Sequence, residues 1–301
     1  MGTKRSFNSP VNVLIERLRK VPMKVKIFCG VLFAVFALVA LKLTITNHYY
    51  FFIASETVHV AGIIALIYKL FALKTCTGLS LKTQELTALF LAARLSCSTL
   101  TEANIHTALD LISLFATLFL IWMIRFKLKS SYIKDLDNLR LYFVVNIVNT
   151  VHSRVNLEHT LKLALFAFNE YIVVPSAILA ILIHPFTTHW RLVRIVWAFS
   201  LYLEAVSVLP QLRFMQNAKM VETFTGYYVF ALGVSRFIAL AYWLIQIYET
   251  RGAYLFLVGS GYFWFLAAFL SEMVQSFILA DFCYYYMKSF MQGQILRKMP
   301  V

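Results

Sequence analysis

The 301-residue chain is 60% hydrophobic and only 14% charged, whereas a soluble domain carries about a quarter charged residues; a soluble enzyme or carrier is excluded and an all-α polytopic membrane protein is expected. Its 28 Lys and Arg against 14 Asp and Glu give a net charge of +14. These basic residues collect in alternate connecting segments, so the charge reports orientation under the positive-inside rule and not a nucleic-acid surface.

Seven basic residues between Lys4 and Lys26 against the single Glu16 place the amino terminus in the cytosol. Apolar stretches long enough to cross about 30 Å of hydrocarbon follow at 27–46, 51–72, 84–100, 107–125, 168–185, 195–215, 226–248 and 254–286. Eight spans return the carboxyl terminus to the cytosol. The first stretch lacks a small-residue cleavage pattern and reads as an uncleaved signal anchor. Its only polar interior residue, Lys42, is expected to snorkel to the luminal interface. Cys29, Cys76, Cys97 and Cys283 lie in spans or at their ends, which argues against a disulfide framework. There is no HExxH, P-loop, GxSxG or paired-cysteine pattern, so neither an enzyme, a cofactor nor a metal site is expected.

The second core stretch contains the first functional candidate. Arg94 closes the otherwise apolar run Leu86-Thr-Ala-Leu-Phe-Leu-Ala-Ala-Arg94, and an arginine at that depth costs about 3 kcal/mol unless it is partnered or used. His59 lies in the preceding stretch. Glu204 and Trp197, seven residues apart, fall on nearly one helical face two turns from each other. A buried Glu204 needs protonation or a partner, with Arg94, Arg236 and His59 as candidates. Gln84-Glu-Leu-Thr-Ala-Leu-Phe-Leu-Ala-Ala-Arg94 can be laid on Gly226-Tyr-Tyr-Val-Phe-Ala-Leu-Gly-Val-Ser-Arg236, and repeats of this kind place a ligand site near the midplane between two bundles. Gln275 and Asp281 are expected to be buried hydrogen-bonding groups, and the run Phe282-Cys-Tyr-Tyr-Tyr286 an interfacial aromatic belt.

The segments Cys76-Thr-Gly-Leu-Ser-Leu-Lys-Thr-Gln84 and Trp197-Ala-Phe-Ser-Leu-Tyr-Leu-Glu-Ala-Val-Ser-Val-Leu-Pro-Gln211 resemble the KDEL receptor family, which retrieves escaped endoplasmic-reticulum proteins from the Golgi. The resemblance runs from about Phe51 to Tyr286 and looks similar to plant members with an extra amino-terminal helix. It implies a seven-helix core of the PQ-loop, SWEET-like type, with two three-helix bundles joined by a linking helix. Residues 1–50 would then add a basic cytosolic terminus and one further span, and 287–301 would form a cytosolic tail. Residues 146–171 interrupt the match, as a coat-contacting loop, a tolerated insertion or a retained intron.

By this likeness Arg94 holds the carboxylate that ends a peptide signal, and His59 favours capture at the mildly acidic Golgi pH. Trp197 and Glu204 take part in switching, and Arg236 pairs with Glu204 as a structural ion pair. Two family arginines that read acidic side chains of the signal fall here on Phe52 and Gln246; an apolar ring offers no donor and an amide offers weaker ones. Ser235, Ala239, Tyr242 and Cys97 also depart from the family's cavity residues. The expected function is receptor-like retrieval of luminal proteins by vesicle-mediated transport between Golgi and endoplasmic reticulum. Carboxyl-terminal peptide signals, vesicle coat proteins and membrane lipids are the implied partners. Two alternatives stay open: a divergent paralogue that does not bind the standard signal, and a transporter of a small anionic solute.

Overall fold

The computed structural model describes residues 49–101, 105–137, 172–218, 221–253 and 261–291. The expected amino-terminal span at 27–46 with Lys42, the interruption at 146–171 and the tail beyond Met291 lie outside these residues. Helix α1 spans Tyr49–Leu73, α2 Leu81–Thr101, α3 Ile105–Trp122, α4 Val173–Leu182, α5 Arg191–Val206, α6 Leu209–Asn217, α7 Thr223–Glu249 and α8 Trp264–Met291. With α5 and α6 read as one bent rod over Arg191–Asn217, the described residues form seven rods. Five are long and apolar enough to cross a membrane, and the chain is a multi-pass membrane protein.

The other two depart from the expected spans. Helix α2 matches the 84–100 stretch in position, but Lys82, Gln84, Glu85, Arg94 and a series of hydroxyl residues make it too polar to qualify by composition. Of the expected 168–185 span, the described residues show helix α4 over 10 residues, about 15 Å of rise, roughly half of what crossing requires. It ends where the backbone turns extended at Ile183, before His184-Pro185.

Packing divides the rods into two bundles. Helix α3 lies between α1 and α2, and α8 lies between α5 and α7; across the divide α1 packs on α7 and α2 on α5, while α4 rests on α5. Exchanging the bundles carries α1, α2 and α3 onto α5–α6, α7 and α8, which is the relation expected of a parallel repeat. One apolar core joins α1, α3, α7 and α8 through Ile63, Leu66, Leu70, Leu120, Val229, Leu279 and Phe282; a second joins α2 to α5 through Leu86, Phe90, Leu91 and Leu203. Large apolar side chains also face outward, among them Phe115, Leu182 and Phe277, as lipid contact requires. The aromatic run is not a simple belt: Phe282 is fully buried and Tyr286 stacks on Phe230 and Phe282, because these rings seal α8 against α7.

Two local devices set the register of the rods. The turn after α1 uses a left-handed Gly78 at φ 82°, and a Cβ there would also meet the Glu222 Cβ at 3.1 Å, so glycine is required twice over. Ser80 then caps α2 by accepting the Thr83 N–H at 3.2 Å. Proline at 210 removes a helical donor, and the rod bends at Ser207-Val208; the Ser207 N–H and hydroxyl both turn back to the Glu204 carbonyl, at 3.2 and 2.8 Å. Next to that bend, Gln211 Oε1 accepts from the Ser80 N–H at 2.9 Å and Nε2 donates to the Gly78 carbonyl at 2.8 Å. The Pro210-Gln211 pair thereby ties the bend of one bundle to the first turn of the other.

Candidate functional site

Arg94 stands where α2 of one bundle meets α5 of the other, and three carboxylates converge on it. Its Nε lies 3.1 and 3.0 Å from Asp110 Oδ1 and Oδ2, and Nη2 lies 2.5 Å from Oδ1. Nη1 lies 3.0 Å from Glu204 Oε2, and Nη2 approaches Glu56 at 3.3 and 3.4 Å. The Asp110 contact is the forked geometry in which a guanidinium binds a carboxylate most tightly. Four helices therefore meet at one side chain: α1 supplies Glu56, α2 Arg94, α3 Asp110 and α5 Glu204.

The second bundle contributes Arg236 from α7, whose Nη2 lies 2.7 Å from Glu204 Oε1. Glu204 thus bridges one arginine from each bundle, and the two arginines are those the internal sequence match lays on each other. On α8, Gln275 Nε2 donates to the Glu204 carbonyl at 3.2 Å, and Glu272 is buried with its Oε2 unpartnered. Glu56, Asp110, Glu204 and Glu272 against Arg94 and Arg236 leave this region rich in acid.

His59 is 1% exposed and lines a small cavity with Glu204, Tyr228, Arg236 and Gln275 on one hand and the apolar Phe90 and Leu232 on the other. Its Nδ1 has no hydrogen-bond partner. The cavity measures about 10 Å³, room for no more than a water molecule, so the two bundles are closed on each other at this level.

The remaining expected site residues lie elsewhere. Gln246 sits ten residues beyond Arg236 on α7, about 15 Å along the axis, and donates to the Tyr242 hydroxyl at 3.1 Å. Phe52 packs edge-on against Tyr242 and His106, with ring centroids 6.3 and 4.8 Å apart. Phe52 and His106 each precede an acid, Glu56 and Asp110, by one helical turn, so an aromatic layer closes over the ionic cluster. Trp197 stands apart: it is 42% exposed while Glu204 is 5% exposed, because two turns displace it about 10 Å along α5, beyond the neighbours that cover Glu204. Asp281, expected to be buried, is exposed on α8, whereas Gln275 is buried. Cys97 donates to the Val193 carbonyl at 3.4 Å, and Cys76, Cys97 and Cys283 are buried free thiols. Among the described residues no cluster could hold a metal ion.

Glu56 and Asp110 were not singled out by sequence, although each is a lone acid in an apolar run, the same signal that marks Arg94. Lys69 is a further such residue. Fully buried on α1, its Nζ contacts Glu222 Oε2 at 2.6 Å, the Thr77 carbonyl at 2.7 Å and Thr225 Oγ1 at 3.1 Å. Glu222, just before α7, is half-buried; burial opposes its ionisation, but Lys69 and the Thr225 donors outweigh it and hold the carboxyl below the ordinary carboxylate range.

The family model for the ER lumen protein retaining receptor matches residues 75–246. ER lumen protein-retaining receptor A of Arabidopsis thaliana is 30% identical over 237 residues, 77% of this chain and 91% of the relative. The Petunia hybrida receptor is 29% identical over 79% of this chain and 94% of its own length, and receptor erd-2.2 of Caenorhabditis elegans is 28% identical over 83% and 99%. The matched region contains α2 to most of α7, and with it Arg94, Asp110, Glu204 and Arg236. The chain belongs to the ER lumen protein-retaining receptor family.

Proposed function

We propose that this protein binds carboxyl-terminal peptide signals of luminal proteins and returns their carriers from the Golgi to the endoplasmic reticulum by vesicle-mediated transport. The observation that carries the reading is Arg94, an arginine at the junction of the two bundles whose donors are already arrayed around carboxylates. Arg94 anchors the terminal carboxylate of the signal. Glu204 couples that event to Arg236 in the second bundle. His59 lies at the cavity beside Glu204 and, once the bundles part and water reaches it, would take up a proton there and favour capture of an anionic end group. Gln246 and Phe52 face the upstream part of the signal and supply one neutral polar contact and one apolar contact.

Binding of purified full-length protein to peptides ending in His-Asp-Glu-Leu or Lys-Asp-Glu-Leu, each compared with its amidated form at mildly acidic and neutral pH, tests this reading. Acid-favoured binding that needs the free carboxylate and is lost in Arg94→Ala is expected. A folded protein that binds no free-carboxylate peptide at either pH, whatever its side chains, overturns it, and saturable uptake of a small carboxylate into liposomes would instead establish the transporter.

A further inference from the structure

The acid excess around Arg94 has a consequence for ligand choice. Asp110 already holds the fork of Arg94 that a ligand carboxylate needs. It is only 3% exposed, and its neighbours in the cluster include Glu56, on the same Nη2 of Arg94. A ligand carboxylate that takes the fork displaces Asp110 into a buried space beside another acid. An unpaired buried carboxylate is costly, so such a ligand binds well only if it brings a positive group for Asp110 and Glu56. An independent observation agrees: Phe52, packed on Tyr242 and His106, and Gln246, bonded to the Tyr242 hydroxyl, offer nothing cationic to an acidic side chain.

We propose, building on the receptor reading above, that the site selects carboxyl-terminal segments carrying a basic side chain within their last few residues: the terminal carboxylate displaces Asp110 from Arg94, and the basic group pairs with Asp110 and Glu56. The charge preference is thus reversed, and Asp110 is the residue that sets it.

The test uses full-length purified protein and three peptides of equal length, ending in His-Asp-Glu-Leu, His-Asn-Gln-Leu and His-Lys-Lys-Leu, as free acids and as amides. Wild type is expected to bind the basic free acid at least about tenfold more tightly than the acidic one, with no binding of the amide. In Asp110→Asn the preference collapses to within about threefold while dependence on the free carboxylate persists. Glu56→Gln should narrow it in the same direction. Tighter binding of the acidic peptide by wild type, or an unchanged basic preference in Asp110→Asn, overturns the inference and leaves the receptor reading standing. Absence of carboxylate-dependent binding to any peptide overturns both. Since wild type alone gives the ranking, a variant that misfolds does not hide the answer.

Discussion

Replacing Lys69 by methionine keeps the apolar stem and deletes the ammonium group. Its three contacts, at 2.6, 2.7 and 3.1 Å, join α1 to the Thr77 turn and to the start of α7. A hydrogen bond to a charged group contributes about 1.5–3 kcal/mol, but the three do not add. Thr225 keeps its bond to Glu222 at 2.7 Å, and the Glu222 side chain, 24% exposed, regains water, so its share falls toward the range of an exposed pair, below about 1 kcal/mol. The Thr77 carbonyl loses its charged donor. The expected loss for Lys69→Met is therefore about 2–4 kcal/mol, measured as a shift in denaturant-induced unfolding of the detergent-solubilised protein. A cycle with Glu222→Gln should show coupling, the double variant being less destabilised than the sum of the singles by about 1 kcal/mol. Stability of Lys69→Met within about 0.5 kcal/mol of wild type, or strictly additive variants, would refute the argument that this buried cation fastens the two bundles.

The same pair predicts a pH dependence. Glu222 is held below the ordinary carboxylate range, so its stabilisation is fully present above the unfolded value and lost as pH falls through the folded one; the advantage of wild type over Glu222→Gln should shrink under acid, and an advantage that grows there contradicts the sign. At Gly233 an added Cβ would overlap Cys283 Sγ across the α7–α8 contact. Gly233→Ala should destabilise by about 1–3 kcal/mol with recovery in Gly233→Ala/Cys283→Ala, and thermal unfolding that shows no recovery would count against a steric cause. Asp137 accepts from the Tyr132 hydroxyl at 2.6 Å, Ser80 Oγ at 2.8 Å and the Lys82 N–H at 3.2 Å. Asp137→Ala should speed hydrogen exchange at the first turn of α2, at a cost of about 1–3 kcal/mol, and unchanged protection there would show that Ser80 and Gln211 hold the turn without Asp137.

The helical core was legible because apolar length is a one-dimensional property: the expected stretches predict α1, α3, the bent α5–α6 rod and α7 within a few residues. The α2 match to α7 also brought Arg94 and Arg236 into equivalent places. Other features depend on relations that periodicity does not encode. Trp197 shares an angular position with Glu204, but angle says nothing of depth along the helix, and the covering neighbours stop short of it. Asp281 lies on a long apolar helix, yet burial is decided by which rods pass alongside. The Asp110 contact joins α3 to α2 across a connection, so spacing within either helix does not reveal it. A charge count over the spans would have asked what the lone acids Glu56 and Asp110 were neutralising.

Glu204 is one side chain shared by two halves of the molecule that otherwise mirror each other. Arg94 also holds Asp110 and Glu56, but Glu204 is the carboxylate it has in common with Arg236, so whatever alters that carboxylate's hold on Arg94 also alters its hold on Arg236. The bend that carries its carbonyl leads directly to Gln211 and, through it, to the Gly78 turn of the opposite half. The ionic centre inside the membrane and the connecting turn at the far end of the rods are thus joined by one continuous path, covalent along the bent rod and hydrogen-bonded at Gln211.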